Sequence, residues 1–244
     1  WKGARNMLRH SVLLLLLAAL PLIHAFSPAG KVVGLSSLGR SAARFSPLPL
    51  RAPLTSNRRE QGSMAARHGM FKMSGGDVDS LKQQLLSMCD AARQGLEGPA
   101  SPDFNAVVDS LIALNPTPSP AASPLMGGRW NMRWTSEKEI LFLLEKGLFG
   151  LPCTSVYQVI DTEAGSLTNS LDFEEESFLR VGSTFRPGEG ERFDFKFQSC
   201  ALKWRWLEVP LPPVGEGWGS QVYLDNTLRI QKDSRGDMLI ATKA

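Results

Sequence analysis

The chain has 244 residues, of which 43% are hydrophobic and 21% charged, a balance that suits one or two globular domains. Its net charge of +3 is split: residues 1–73 hold eleven Lys/Arg against the single acid Glu60, while residues 74–244 hold sixteen Lys/Arg against twenty-three Asp/Glu, so the two parts carry +10 and −7. The acidic part has no general attraction for a phosphate backbone, which argues against nucleic acid as a partner.

In chain order, the first feature is an address. Met7, Arg9 and His10 precede Val12 to Ile23, an apolar run broken only by Pro21. It has the length of a signal-peptide core and is too short to span a bilayer. Ile23 and Ala25 suit cleavage before Phe26. The stretch that follows is rich in Ser, Ala, Arg and Pro, as a plastid transit peptide is. Residues 1–25 are therefore read as a signal peptide and 26–73 as a disordered transit peptide, with a mature start near Met73. The alternative is an ordinary secreted protein with a basic linker.

Two helices are predicted next. From Asp77 to Gln94, Val78, Leu81, Leu85, Met88 and Ala92 recur at helical spacing, with Gly95 to end the run. From Pro102 to Leu114 the stripe is Phe104, Val107, Val108, Leu111 and Ile112. Residues 77–114 thus form a helical N-terminal cap packed on the next domain. NPTPSPAASP, residues 115–124, has four prolines and reads as a stiff Pro-rich linker.

From residue 125 to 244 the period becomes two. Gly128–Trp134 alternates Trp130, Met132 and Trp134 with polar residues. SLTNSLDF aligns Leu167, Leu171 and Phe173; RFDFKF aligns Phe193, Phe195 and Phe197; LKWRW aligns Leu202, Trp204 and Trp206. Further strands are predicted at 154–161, 178–185, 221–230 and 237–243, separated by EAG, PGEGE and DSRGD turns. Eight short strands, each with one apolar face, suggest a mainly β fold in which an antiparallel sheet closes into a barrel with the indoles inside, leaving room for side chains or one small ligand.

Little in the sequence specifies chemistry. His10, His24 and His68 all precede Met73, which removes Ser-His-Asp and Cys-His catalysis and His-containing metal sites from the mature part. Cys89, Cys153 and Cys200 are widely spaced, so neither a disulfide framework nor a zinc site is indicated. Glu174, Glu175 and Glu176 read as a solvated turn; Gly188-Glu189-Gly190 and Arg235-Gly236-Asp237 read as turns too. Asp172, Asp225 and Tyr223 have no catalytic spacing. No catalytic residue, metal or cofactor is expected.

NPTP at 115–118, GGRWNMRWTS at 127–136, VYQVID at 156–161 and LPPVGEGWGSQVYLDNTLRIQKDSRGD at 211–237 resemble the plastid lipid-associated proteins, or fibrillins, from about Leu81 to Lys243. The resemblance implies a lipocalin-like barrel and association with thylakoids or plastoglobules of a plastid, here one of complex type reached through a signal plus transit peptide. It also implies a non-enzymatic role in holding prenyl quinones, carotenoids or acyl lipids. Two departures bear on ligand preference: Gly219 stands where the family has an aromatic, and Trp134 where Tyr is frequent.

Lipocalins also begin with Gly-x-Trp, present as Gly128 and Trp130, and cover that Trp with a late-strand Arg, matched by Arg229; these three are expected to be scaffold. The expected interior ligand-binding residues are Met132, Trp134, Leu167, Leu171, Phe173, Phe193, Phe195, Phe197, Trp204 and Trp206. Phe142, Leu144, Leu148 and Phe149, between the first two strands, are expected to form a lid or to touch a membrane or droplet surface. The competing expectation is a helix that plugs the barrel. A second reading of function is a protein-interaction module, filled by its own side chains, that docks on a partner in plastid lipid metabolism or on a photosynthetic complex.

Overall fold

The computed structural model describes residues 75–244; the signal-peptide and transit-peptide readings lie outside the described residues. Nine strands follow one another as β1 (Gly128–Thr135), β2 (Cys153–Asp161), β3 (Ser166–Phe173), β4 (Phe178–Pro187), β5 (Arg192–Trp204), β6 (Leu207–Leu211), β7 (Glu216–Leu224), β8 (Leu228–Asp233) and β9 (Met238–Lys243). All pairings are antiparallel. Because β9 pairs with β1 and β4 with β5, eight strands close a ring, in the order β1-β2-β3-β4-β5-β7-β8-β9. Closure leaves no unpaired edge within that ring.

The ring has the expected number of strands although the individual assignments differ. RFDFKF and the LKW of LKWRW belong to one thirteen-residue strand, β5, whose first half pairs with β7 and whose second half pairs with β6. The predicted strand at 221–230 divides into β7 and β8 at the Asp225–Thr227 turn, and residues 207–219, where no strand is predicted beyond the end of the aromatic run, supply β6 and the start of β7. Asp225, not a glycine, organises that turn: its carboxylate accepts from the amides of Thr227 and Leu228.

Bulges decide which aromatic faces which side. In β5, Ser183 lies opposite Phe197 and Gly182 opposite Ser199, so Gln198 is an extra residue. The inward set therefore shifts from Phe193, Phe195 and Phe197 to Cys200, Leu202 and Trp204. In β1, Met132 faces Ala241 and Trp134 faces Ile240, so Arg133 is extra. Trp130 and Met132 point inward, but Trp134 does not: beyond the bulge it turns to the outer wall and packs in a cluster with Phe104, Leu111, Tyr223 and Ile240. This corrects its expected place in the interior. Trp206 is likewise not an interior residue. It follows the end of β5 in the β5–β6 turn, where Arg205 has φ +57°, and is 75% exposed.

Two helices, α1 (Gly75–Ala91) and α2 (Pro102–Ala113), cover that outer wall. Ser101 caps α2 by accepting from the Phe104 amide, and Phe104, Val107, Val108 and Leu111 are its buried stripe. The Phe104 and Trp134 rings are 4.9 Å apart between centroids. Lys82 of α1 donates to Asp225 at 2.8 Å, which ties the helix to the β7–β8 turn. The proline-rich segment 115–124 differs from a free spacer: Thr117 Oγ1 donates to the Leu224 carbonyl, Asn115 Oδ1 accepts from the Leu224 amide, and Ala121 is fully buried. It closes one end of the barrel.

Candidate functional site: a barrel interior with a plugged mouth

The closed end is built around Trp130. Its Nε1 donates to the Met126 carbonyl at 2.8 Å, and two cations face its ring, Arg229 Cζ at 5.3 Å and Lys243 Nζ at 4.5 Å from the centroid. Lys243 also donates to the carbonyls of Leu125 and Gly127, stitching the end of β9 to the segment that covers this end. Arg229 is fully buried, and its three side-chain nitrogens have no hydrogen-bond partner among the described residues. Burial pulls its pKa down to about 9. The indole face is thus the principal partner of this guanidinium, an attraction on the order of 1–2 kcal/mol in a desolvated place. Gly128, at φ +108°, starts β1 beside the Lys243 stem.

Above this floor lies a cavity of about 150 Å³. Leu167, Leu171, Leu179, Val181, Phe193, Phe195, Phe197 and Cys200 supply its apolar wall. Phe193 and Phe195 have room because the residues opposite them on β7 are Gly219 and Gly217. A Cβ at Gly219 would sit 2.6 Å from Phe193 Cζ, so the glycine is what leaves room to seat this ring. Polar groups punctuate the wall. Gln158 donates to Asn169 across β2 and β3, Ser183 donates to the Leu167 carbonyl, and Gln231, 8% exposed, has an Oε1 without a partner.

The other end is plugged by α3 (Lys138–Lys146) and the turn after it. Leu143, Leu148 and Leu151 are buried against Leu171, Phe173, Leu179, Cys200 and Leu202, with Phe149 and Trp204 packed on the same cluster. Gly147 makes the turn possible: at φ +71° a Cβ there would lie 2.2 Å from the Leu151 carbonyl oxygen. Leu148 is therefore inside the plug rather than on a contact surface, which corrects its membrane-facing reading; Leu144 is half-buried, and of the four expected lid residues Phe142 stands out at 49% exposed.

The cavity lining reaches the surface at Pro213 and Val214 of the β6–β7 connection, both exposed, and also takes in Glu137 and Ile140 at the start of α3. Here the β8–β9 turn brings Arg235 among four carboxylates: Asp233 at 2.9 Å, Asp237 at 3.2 Å, and Glu137 and Glu139 each at 3.4 Å. Burial pushes the Glu137 carboxyl up to about 7; Arg235 opposes this and the neighbouring acids reinforce it. Sequence reading missed this rim. In the sequence Arg235 and Asp237 read as part of a turn, and Gln231 and Asp233 lie outside the predicted strand; the alternation Arg229, Gln231, Asp233 along β8 is the available signal.

The structure thus brings Met132, Leu167, Leu171, Phe173, Phe193, Phe195, Phe197 and Trp204 to the inner side of the ring, with Trp134 and Trp206 elsewhere. The three thiols are free and well apart in sequence, and burial raises Cys89 to about 12 and Cys153 and Cys200 to about 11.

The PAP_fibrillin family model matches residues 79–242. The chain is 34% identical over 168 residues to the probable plastid-lipid-associated protein 11, chloroplastic, of Arabidopsis thaliana, a match covering 67% of this chain and 79% of that relative. It is 28% identical over 131 residues to plastoglobulin-1, chloroplastic, of Pisum sativum, covering 46% of this chain and 37% of the relative. It is 24% identical over 222 residues to the chromoplast-specific carotenoid-associated protein of Cucumis sativus, covering 68% of each. No solved structure matches it. With the family pattern running from α1 to the last strand of the ring, the chain belongs to the PAP_fibrillin family.

Proposed function

We propose that the chain is a non-catalytic, lipid-associated plastid protein that binds or stores hydrophobic lipids such as prenyl quinones, carotenoids or acyl lipids at thylakoids or plastoglobules. The observation that carries this reading is the apolar cavity inside a closed ring. A cavity of about 150 Å³ has room for a benzene-sized ring. In chain terms it holds roughly five methylenes, worth about 4 kcal/mol gross before association costs are subtracted. A ring or the end of a chain therefore fits, and the rest of a long lipid runs out past Val214 or displaces the α3 plug. The relatives' names, which speak of plastid lipids, plastoglobulin and carotenoid association, support the ligand class and the compartment.

Native mass spectrometry of the chain purified without organic solvent or detergent tests the reading. A retained or readily acquired prenyl or acyl lipid is the expected result, and a barrel that never takes one up overturns it. The second reading, a protein-interaction module on a plastid lipid-synthesis enzyme or photosynthetic complex, is favoured by the same volume, since drug-sized ligand pockets run to about 300–1,000 Å³. Expansion of the cavity on lipid addition separates the two.

A further inference from the structure

The mouth of the cavity carries an imbalance that bears on what can enter it. Glu137 and Glu139, at the start of α3, and Asp233 and Asp237, at the β8–β9 turn, share the single guanidinium of Arg235. With all four acids ionised this cluster carries −3. Glu137, Asp233 and Arg235 themselves line the cavity. Arg235 has no capacity left for an incoming anion: Nε is committed to Asp233, Nη1 to Glu139, and Nη2 to Glu137 and Asp237. Just inside the rim, one inward step back along β8, is Gln231, more than nine-tenths buried, with its Oε1 unpaired. An unpaired buried carbonyl has a standing need for a donor.

We propose that this rim is a charge filter. The ligand of the cavity is an uncharged amphiphile whose polar group donates a hydrogen bond to Gln231, an alcohol or a phenol, and amphiphiles ending in a carboxylate are turned away. The inference rests on the lipid-binding reading and adds the chemistry of the head. Three excess negative charges at about 8 Å in water oppose a fourth with enough energy for roughly a tenfold difference in affinity, and more where water is displaced. Salt weakens the discrimination, because part of the rim is solvated.

The test compares 4-pentylphenol with 4-pentylbenzoate at pH 8 on the full chain, followed by calorimetric titration at low ionic strength. A phenol of ordinary pKa near 10 is neutral there and a benzoate is ionised. The expected result is binding of the phenol at least tenfold tighter, with the ratio falling toward unity in the Glu137→Gln/Glu139→Gln variant. Gln231→Leu is expected to weaken the phenol while 4-pentyltoluene binds at least as tightly as before. Equal affinity of phenol and benzoate overturns the filter while leaving apolar binding intact. Failure of the phenol, the benzoate and the toluene alike overturns the lipid-binding reading and the filter with it.

Discussion

Two alanine substitutions in β7 isolate the packing of the barrel interior. Gly217 and Gly219 share a strand, a face and the same kind of partner, since each lies opposite a phenylalanine of β5. A methyl group at 219 meets Phe193 Cζ at 2.6 Å and Cε1 at 2.9 Å; at 217 it meets Phe195 Cζ at 3.0 Å. Phe193 is fully buried and held by Phe185, with ring centroids 5.1 Å apart, so its ring must move close to 1 Å against a packed neighbour to regain ordinary contact. Phe195 also borders the cavity and stacks on Phe197 with centroids 5.6 Å apart, but it is only half-buried and starts from 3.0 Å, so its ring has less far to move and more room to do so. Overpacking costs about 1–3 kcal/mol. Neither glycine has a positive φ, so both substitutions also gain about 0.4–1 kcal/mol by restricting the unfolded chain. Gly219→Ala is expected to lose about 0.5–2 kcal/mol, which lowers Tm by about 1–8 °C for a domain of this size, and Gly217→Ala to be neutral or slightly stabilising. Urea and thermal unfolding followed by tryptophan fluorescence measure both. A Gly217→Ala cost equal to or above that of Gly219→Ala refutes the assignment of a rigid floor and a yielding upper wall.

Trp134→Ala is expected to cost about 3–5 kcal/mol and to raise hydrogen exchange in α1 and α2, because the side chain packs under those helices; if the cavity wall exchanges faster instead, the outward placement is wrong. The pH dependence of stability has two parts. Glu137 has a pKa raised by burial from 4.5 to about 7, so its contribution is complete below about 4.5 and is lost as pH rises through 7; Glu137→Gln should flatten that slope in urea titrations. Burial alone would raise Asp225, but hydrogen bonds from Lys82, the Thr227 and Leu228 amides and Tyr223 bring it from 3.8 down to about 2, so its contribution is present above 3.8 and lost toward pH 2. Asp225→Asn should remove that acid limb. Phe142→Ser is expected to reduce flotation with liposomes of plastid galactolipids without loss of Tm, whereas Phe149→Ser, at a residue packed on the plug, should lower Tm; unchanged flotation of a folded Phe142→Ser protein rejects a membrane role for α3.

The residues of β3, with Leu167, Leu171 and Phe173 on one face and Asn169 among them, state their orientation locally, because side chains in an uninterrupted strand alternate by geometry alone. Phe193, Phe195 and Phe197 were legible for the same reason. Trp134 was not: one extra residue, Arg133, reverses parity, and nothing in MRW marks the bulge, which is settled by pairing with β9 more than one hundred residues later. The alternation Arg229, Gln231, Asp233 marks one side of the rim, but its ion cluster is not local, since Glu137 and Glu139 meet Arg235 only after the ring closes and α3 turns inward. The sequence by itself determined the period-two segments, their apolar faces, the family and the acidic character of the folded part. The tertiary structure alone decided which tryptophans face inward, how much space remains among the phenylalanines and which charges guard it. Alternation is a property of neighbours along the chain, whereas bulges, cavities and ion clusters arise where distant segments have to share one volume.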